Sequence, residues 1–161
     1  MKKILLITLV IICGCKKDFF YKGSADFYNK SDAEVVLLRN YISYDYNPLY
    51  DTVLDYNFDN HRFTFIKVSP NTQFTFLYWH KEDKISAADT FSVFVLDKQV
   101  LDTVSWKQIC SDYMVLCRYD LSGLDLKQLN STIPYPPSPT MKDMKMYPPY
   151  EEIISKSKNV R

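Results

Sequence analysis

The sequence predicts a mainly-β domain: an immunoglobulin-like β-sandwich with two short helices in its second half. Three observations point that way. The runs "RFTFIKV", "TQFTFLYW" and "TFSVFVLD" carry the apolar alternation of half-buried or buried strands. Tyr and Phe are abundant, at 13 and 10, against only 3 Gly, which suits strands packed face to face. Helix-starting signals are confined to the region after residue 104. An α+β two-layer fold is the alternative, since two helices on one sheet would bury the same faces.

The elements follow in chain order. "DAEVVLLRNYI" (32–42) reads as a first strand, buried on both faces through Val35 to Leu38. "YDYNPLYDTVLDY" breaks the pattern at Asn47-Pro48 and forms a long aromatic loop or edge segment. Phe63, Phe65 or Ile66, and Val68 line one side of the next strand, and Phe74 and Phe76 line one face of the one after it. Ser69-Pro70-Asn71 between them is a turn signal, so the two strands read as a β-hairpin. In "TFSVFVLD", Phe91, Val93 and Val95 share one face, and Phe94 and Leu96 the other.

Ser105 then caps a short helix in which Trp106, Ile109 and Cys110 share the inner face. "YMVLCRYDL" is a strand. "LSGLDLKQLN" has Ser122 as N-cap, Asp125 at the third helical position, and Leu124, Leu126 and Leu129 as anchors. "STIPYPP" resumes extended structure, because Pro134, Pro136 and Pro137 forbid a helix. These readings divide the chain into a signal segment (1–14), a tether (15–27), one β-rich domain (28–140) and a mobile tail (141–161). No internal repeat is visible, which argues against a solenoid or propeller.

The first residues read as an address. Lys2 and Lys3 precede Ile4 to Ile12, nine residues interrupted only by Thr8. A membrane-spanning helix needs about 20 apolar residues, so this run is too short to span. Ile12-Cys13-Gly14-Cys15 follows it and resembles the lipobox of bacterial lipoprotein precursors. In that family a small residue precedes the cysteine that is lipidated and becomes the new N-terminus. Gly14 supplies the small residue before Cys15, whereas Ile12 is too bulky to do so for Cys13; Ile12 itself stands where Leu is commonest. The resemblance implies lipidation of Cys15 and a membrane held through acyl chains. By the same resemblance, Lys16 after the cysteine favours the outer membrane, with the periplasmic or surface face left open. The stretch "MVLCRYDLSGLDLKQLNSTIPYPP", with "SWKQI" upstream, is similar to small lipoproteins of gut Bacteroidota, and this implies no catalytic residue.

Composition narrows the partners. Loss of residues 1–14 removes Lys2 and Lys3, taking 20 basic residues to 18 against 19 acidic ones. That balance gives no electrostatic basis for binding nucleic acid. Cys110 and Cys117 survive beside the anchor. An oxidising envelope permits a disulfide between them, but their spacing and the burial habit of cysteine favour two thiols. No zinc-type cysteine or histidine spacing occurs, so no metal or other cofactor is expected.

Three kinds of functional residue stand out. Tyr46, Tyr50 and Tyr56, interleaved with Asp45, Asp51 and Asp55, suit stacking and hydrogen bonding to a glycan or protein ligand. Thr52 and Thr103 lie in Asp-Thr-Val triplets that resemble an O-glycan acceptor motif of Bacteroidota envelope proteins. His61 and His80, with Asp59 or Asp83, are the sole basis for an alternative reading as a small envelope hydrolase. No GxSxG, SxxK or phosphate-binding glycine loop accompanies them. The leading expectation is a lipid-anchored, non-enzymatic binding or scaffolding domain.

Overall fold

The computed structural model describes residues 21–40, 54, 63–80 and 90–158. Among these, eight strands form two sheets. The larger, sheet B, is antiparallel and has the order β3 (Phe63–Val68), β2 (Val35–Asn40), β5 (Thr90–Asp97), β6 (Cys117–Ser122), β8 (Met146–Tyr147). Sheet A has the order β4 (Thr72–His80), β1 (Tyr21–Asn29), β7 (Thr132–Tyr135); β1 runs antiparallel to β4 and parallel to β7.

Residue pattern explains why sheet B lies in the middle. Val35, Leu37, Phe91, Val93, Val95, Cys117, Tyr119 and Leu121 point into a core shared with sheet A, where Ala25, Phe27, Phe76, Leu77 and Ile133 meet them. Val36, Leu38, Phe94 and Leu96 point the other way, onto Leu54, Ile109 and Cys110, with Val100, Leu101 and Trp106 partly buried beside them. Each fully buried Leu, Ile or Phe on either side contributes about 1.5–3 kcal/mol. The mainly-β sandwich is as the sequence predicts, and short helices cover the outer face of sheet B. These are α1 (Lys98–Thr103) and α2 (Trp106–Ser111); α3 (Gly123–Gln128) and α4 (Tyr150–Lys158) contribute Leu126 and Ile153 to the core between the sheets.

Local signals act as read at two helix starts. Ser105 accepts a hydrogen bond from the Gln108 backbone N–H, and α2 buries Ile109 and Cys110. Ser122 and Asp125 form a reciprocal capping box on α3. Leu126 and Leu129 are buried, whereas Leu124 is 55% exposed and anchors nothing.

Three expectations are corrected and one open choice is settled. The two strands around Ser69–Asn71 are not a hairpin: β3 pairs with β2 and β4 with β1, so the turn carries the chain from one sheet to the other. Of Phe65 and Ile66, Ile66 shares the side of Val68 that faces sheet A, as one of the two alternatives had it, and Phe65 faces the helices. The tether ends earlier than residue 27, because β1 starts at Tyr21 and buries Ala25 and Phe27 completely. The tail from residue 141 is folded: Met141, Met144 and Ile153 are buried, and β8 pairs with β6. Two of the four helices, α1 and α4, lie beyond the two expected.

Three further details join the layers. In β4, Leu77 pairs with Ala25 and Thr75 with Asp26, so Phe76 is a bulged residue and both Phe76 and Leu77 turn inward. Tyr119 on β6 donates its hydroxyl to the Pro134 carbonyl on β7 at 3.0 Å. Asn29, with no exposed surface, donates from Nδ2 to the carbonyls of Ala33 (2.8 Å), Val68 (3.0 Å) and Ser69 (3.2 Å). Its Oδ1 accepts from the Ser31 backbone N–H and hydroxyl. Asn29 thereby pins the β1–β2 turn to the turn that crosses between the sheets.

Candidate functional site

Most residues singled out in the sequence lie outside the described residues: Cys15, Tyr46, Tyr50, Thr52, Tyr56 and His61, with Asp59 and Asp83. His80 is the last residue of β4, and its side chain is likewise not described. Thr103 closes α1, is exposed, and donates its hydroxyl to the Gln99 carbonyl at 2.8 Å. Cys110 and Cys117 are buried and in no disulfide; Cys117 faces the inter-sheet core, and burial pushes its thiol well above the ordinary range. No group of three His, Cys, Asp or Glu among the described residues is placed to hold a metal.

Two polar clusters emerge instead. The first lies on the helix-covered face of sheet B, where Ser92 pairs with Asp120 and Phe94 with Arg118. The Asp120 side chain is 1% exposed. It accepts from Ser92 Oγ at 2.6 Å, from Arg118 Nε at 3.2 Å and Nη2 at 3.1 Å, and lies 3.8 Å from Lys145 Nζ. Arg118 Nη1 donates to the Tyr113 hydroxyl at 2.6 Å, and its guanidinium sits 5.9 Å from the Tyr113 ring centre and 5.8 Å from that of Tyr147.

Tyr113 takes a left-handed conformation (φ 51°) just past the end of α2. There Met114 N–H reaches the Ile109 carbonyl and Tyr113 N–H that of Cys110, a Schellman closure usually made with glycine. A bulky residue in that conformation costs about 1–2 kcal/mol, which the Arg118 contacts offset. Both carboxylate oxygens of Asp120 are engaged and the side chain is buried, so it is placed to hold the structure and not to meet a substrate. The cluster clamps β8 and the α2–β6 connection onto the sheet.

The second cluster opens to solvent. β1 alternates Ala25, Phe27 and Asn29 inward with Asp26 and Tyr28 outward, and β7 sets Thr132 and Pro134 beside them in register. The end of α3 and residues 138–140 wall this face into a groove of about 230 Å³. Asn130 and Ser131 both adopt left-handed conformations (φ 49° and 58°), with Asn130 N–H on the Lys127 carbonyl and Ser131 N–H on that of Leu126. Asparagine tolerates this position in place of glycine, and a second such residue directly after it stores strain of a kind concentrated at functional sites.

The groove is lined by one cation, Lys30, and no acid. Lys30 Nζ lies 5.2 Å from the Tyr28 ring centre and within reach of no carboxylate among the described residues. Gln128, Asn130, Thr132, Ser138 and Thr140 complete the polar lining, and Leu129 and Pro134 the apolar part. The side chains of the five polar residues make no hydrogen bond among the described residues, which leaves their donors and acceptors available.

Sequence reading missed this site because its walls come from three stretches, 28–30, 128–134 and 138–140, the first about a hundred residues from the others. The one local signal was Asn130-Ser131 closing a capped helix. No protein-family model, curated protein or solved structure matches the chain.

Proposed function

We propose that the protein is a lipid-anchored envelope protein whose β-sandwich serves as a non-enzymatic binding or scaffolding domain at the outer membrane. The observation that carries this reading is the N-terminal sequence itself: two lysines, a short apolar run, then Gly14-Cys15. Two or three acyl chains on Cys15 and its amine would hold the chain firmly, since each buried CH₂ is worth about 0.8 kcal/mol.

The fold is compatible with that anchor. Among the described residues no helix is long and apolar enough to cross a membrane. β1 begins at Tyr21, six positions after Cys15, so the sandwich starts within about 20 Å of the lipid. Tyr28 and Lys30 lie towards the far end of β1, about 23 Å further along a strand that rises about 3.3 Å per residue. The groove lies toward the end of β1 opposite Tyr21, where the segment from Cys15 enters the strand.

Metabolic labelling with radioactive palmitate tests the reading. The parent chain takes up label and sediments with membranes, and Cys15→Ser takes up none and is released. Equal labelling of the two chains would overturn the lipid anchor.

A further inference from the structure

We propose that the groove between β1, β7 and the end of α3 binds an acidic sugar unit: a hydroxyl-rich ring carrying one carboxylate. This rests on the binding reading above and is independent of the lipid anchor. Size is the first argument. About 230 Å³ falls below the roughly 300–1,000 Å³ of sites for drug-sized ligands and suits a single ring.

Chemistry of the lining is the second. A sugar ring has a rim of hydroxyls and two apolar C–H faces, and it needs both kinds of wall. Gln128, Asn130, Ser138 and Thr140 present amide and hydroxyl groups that can donate or accept, and Leu129 and Pro134 provide apolar wall between them. Tyr28 adds a ring and a phenol at one side.

Charge is the third. Lys30 is the one ionic group of the lining and has no acidic partner among the described residues. A single ammonium matches a single negative charge. Bidentate arginine forks are the commonest partners of phosphate and sulfate, and the lining contains no arginine. The Tyr28 ring under Lys30 Nζ keeps the ammonium at the groove instead of swinging freely into solvent.

Backbone strain is the fourth. Two consecutive left-handed residues, Asn130 and Ser131, fix the rim where the chain leaves α3 for β7. That fixed geometry spares the ligand the ordering cost of a mobile rim.

Calorimetric titration of the full-length chain in detergent, with glucuronate, glucose and acetate as probes, tests the proposal. Glucuronate should saturate with a Kd of about 1 mM, and glucose and acetate should each bind at least about fivefold more weakly. Lys30→Met should reduce glucuronate to the level of glucose. Asn130→Gly, which keeps the left-handed backbone, should weaken both sugars by about fivefold.

Melting temperatures equal to the parent's would show that both variants are folded. Cys15→Ser should bind glucuronate as the parent does, so failure of the anchor and failure of the groove are read separately. Absence of saturable glucuronate binding would overturn the proposal. So would equal affinity for glucuronate and glucose, or parental affinity in both variants.

Discussion

Asn29→Asp is the sharpest test of how the two sheets are joined. Asn29 Nδ2 has two hydrogens and reaches three carbonyl oxygens at 2.8–3.2 Å. The substitution keeps the shape and the Oδ1 contacts with Ser31, but sets an oxygen against those three oxygens. The Val68 carbonyl contact is fully buried, so leaving it unmet costs about 1–3 kcal/mol, and each remaining bond adds about 1 kcal/mol or less because water can reach those carbonyls. A total near 3 kcal/mol lowers the melting temperature of a chain this size by about 10 °C.

The introduced carboxyl is buried among acceptors, so its pKa in the folded state is raised. Below about pH 4 both folded and unfolded chains hold the proton. As pH rises, the unfolded chain ionises first and the stability of the variant falls. The deficit against the parent therefore grows from pH 4.5 to pH 7, read by thermal melts at both values. A variant that melts within a couple of degrees of the parent at pH 7, or whose deficit is the same at both pH values, would refute the reasoning.

Other perturbations have definite outcomes. Arg118→Met leaves the 1%-exposed Asp120 carboxylate without its main partner and should cost about 3 kcal/mol in urea unfolding. Adding Asp120→Leu should recover at least about 1 kcal/mol of that loss, and simple additivity of the two changes would show that the pair is not coupled. Cys110 and Cys117 should resist a maleimide in the native protein and react fully in denaturant, as judged by peptide mass mapping. Burial raises the Cys117 thiol, so moving from pH 7 to pH 8.5 should not expose it to the reagent.

What the sequence made legible follows from how local each signal is. β5 and β2 were readable because both of their faces are apolar, and this needs no knowledge of neighbours. Ser105 and Ser122 were readable as caps because capping is settled within four residues. Strand partners were not: alternation in "RFTFIKV" and "TQFTFLYW" specifies faces, and the turn between them fits a crossing as well as a hairpin. β1 escaped notice because its inward positions include small Ala25 and polar Asn29, and because it lies so close to Cys15. The tail escaped because Met141, Met144 and Ile153 are spaced as isolated apolar residues among lysines and prolines. Pro134 marks a strand that accepts proline because, among the described residues, β7 pairs only with β1. The groove was illegible for a deeper reason: Lys30 and Thr140 become neighbours only when β7 docks beside β1.

The central place of β1 in sheet A sets a timetable for maturation. Its first residues lie near the amino end, yet one of its two partners, β7, ends only at Tyr135, and Asp26 must wait for Thr132. A chain made amino end first cannot close that sheet while its last quarter is still to come, and pairings so distant in sequence form slowly. The early strand thus stays open until late in synthesis, and sheet A closes only once the last quarter of the chain is free to join it.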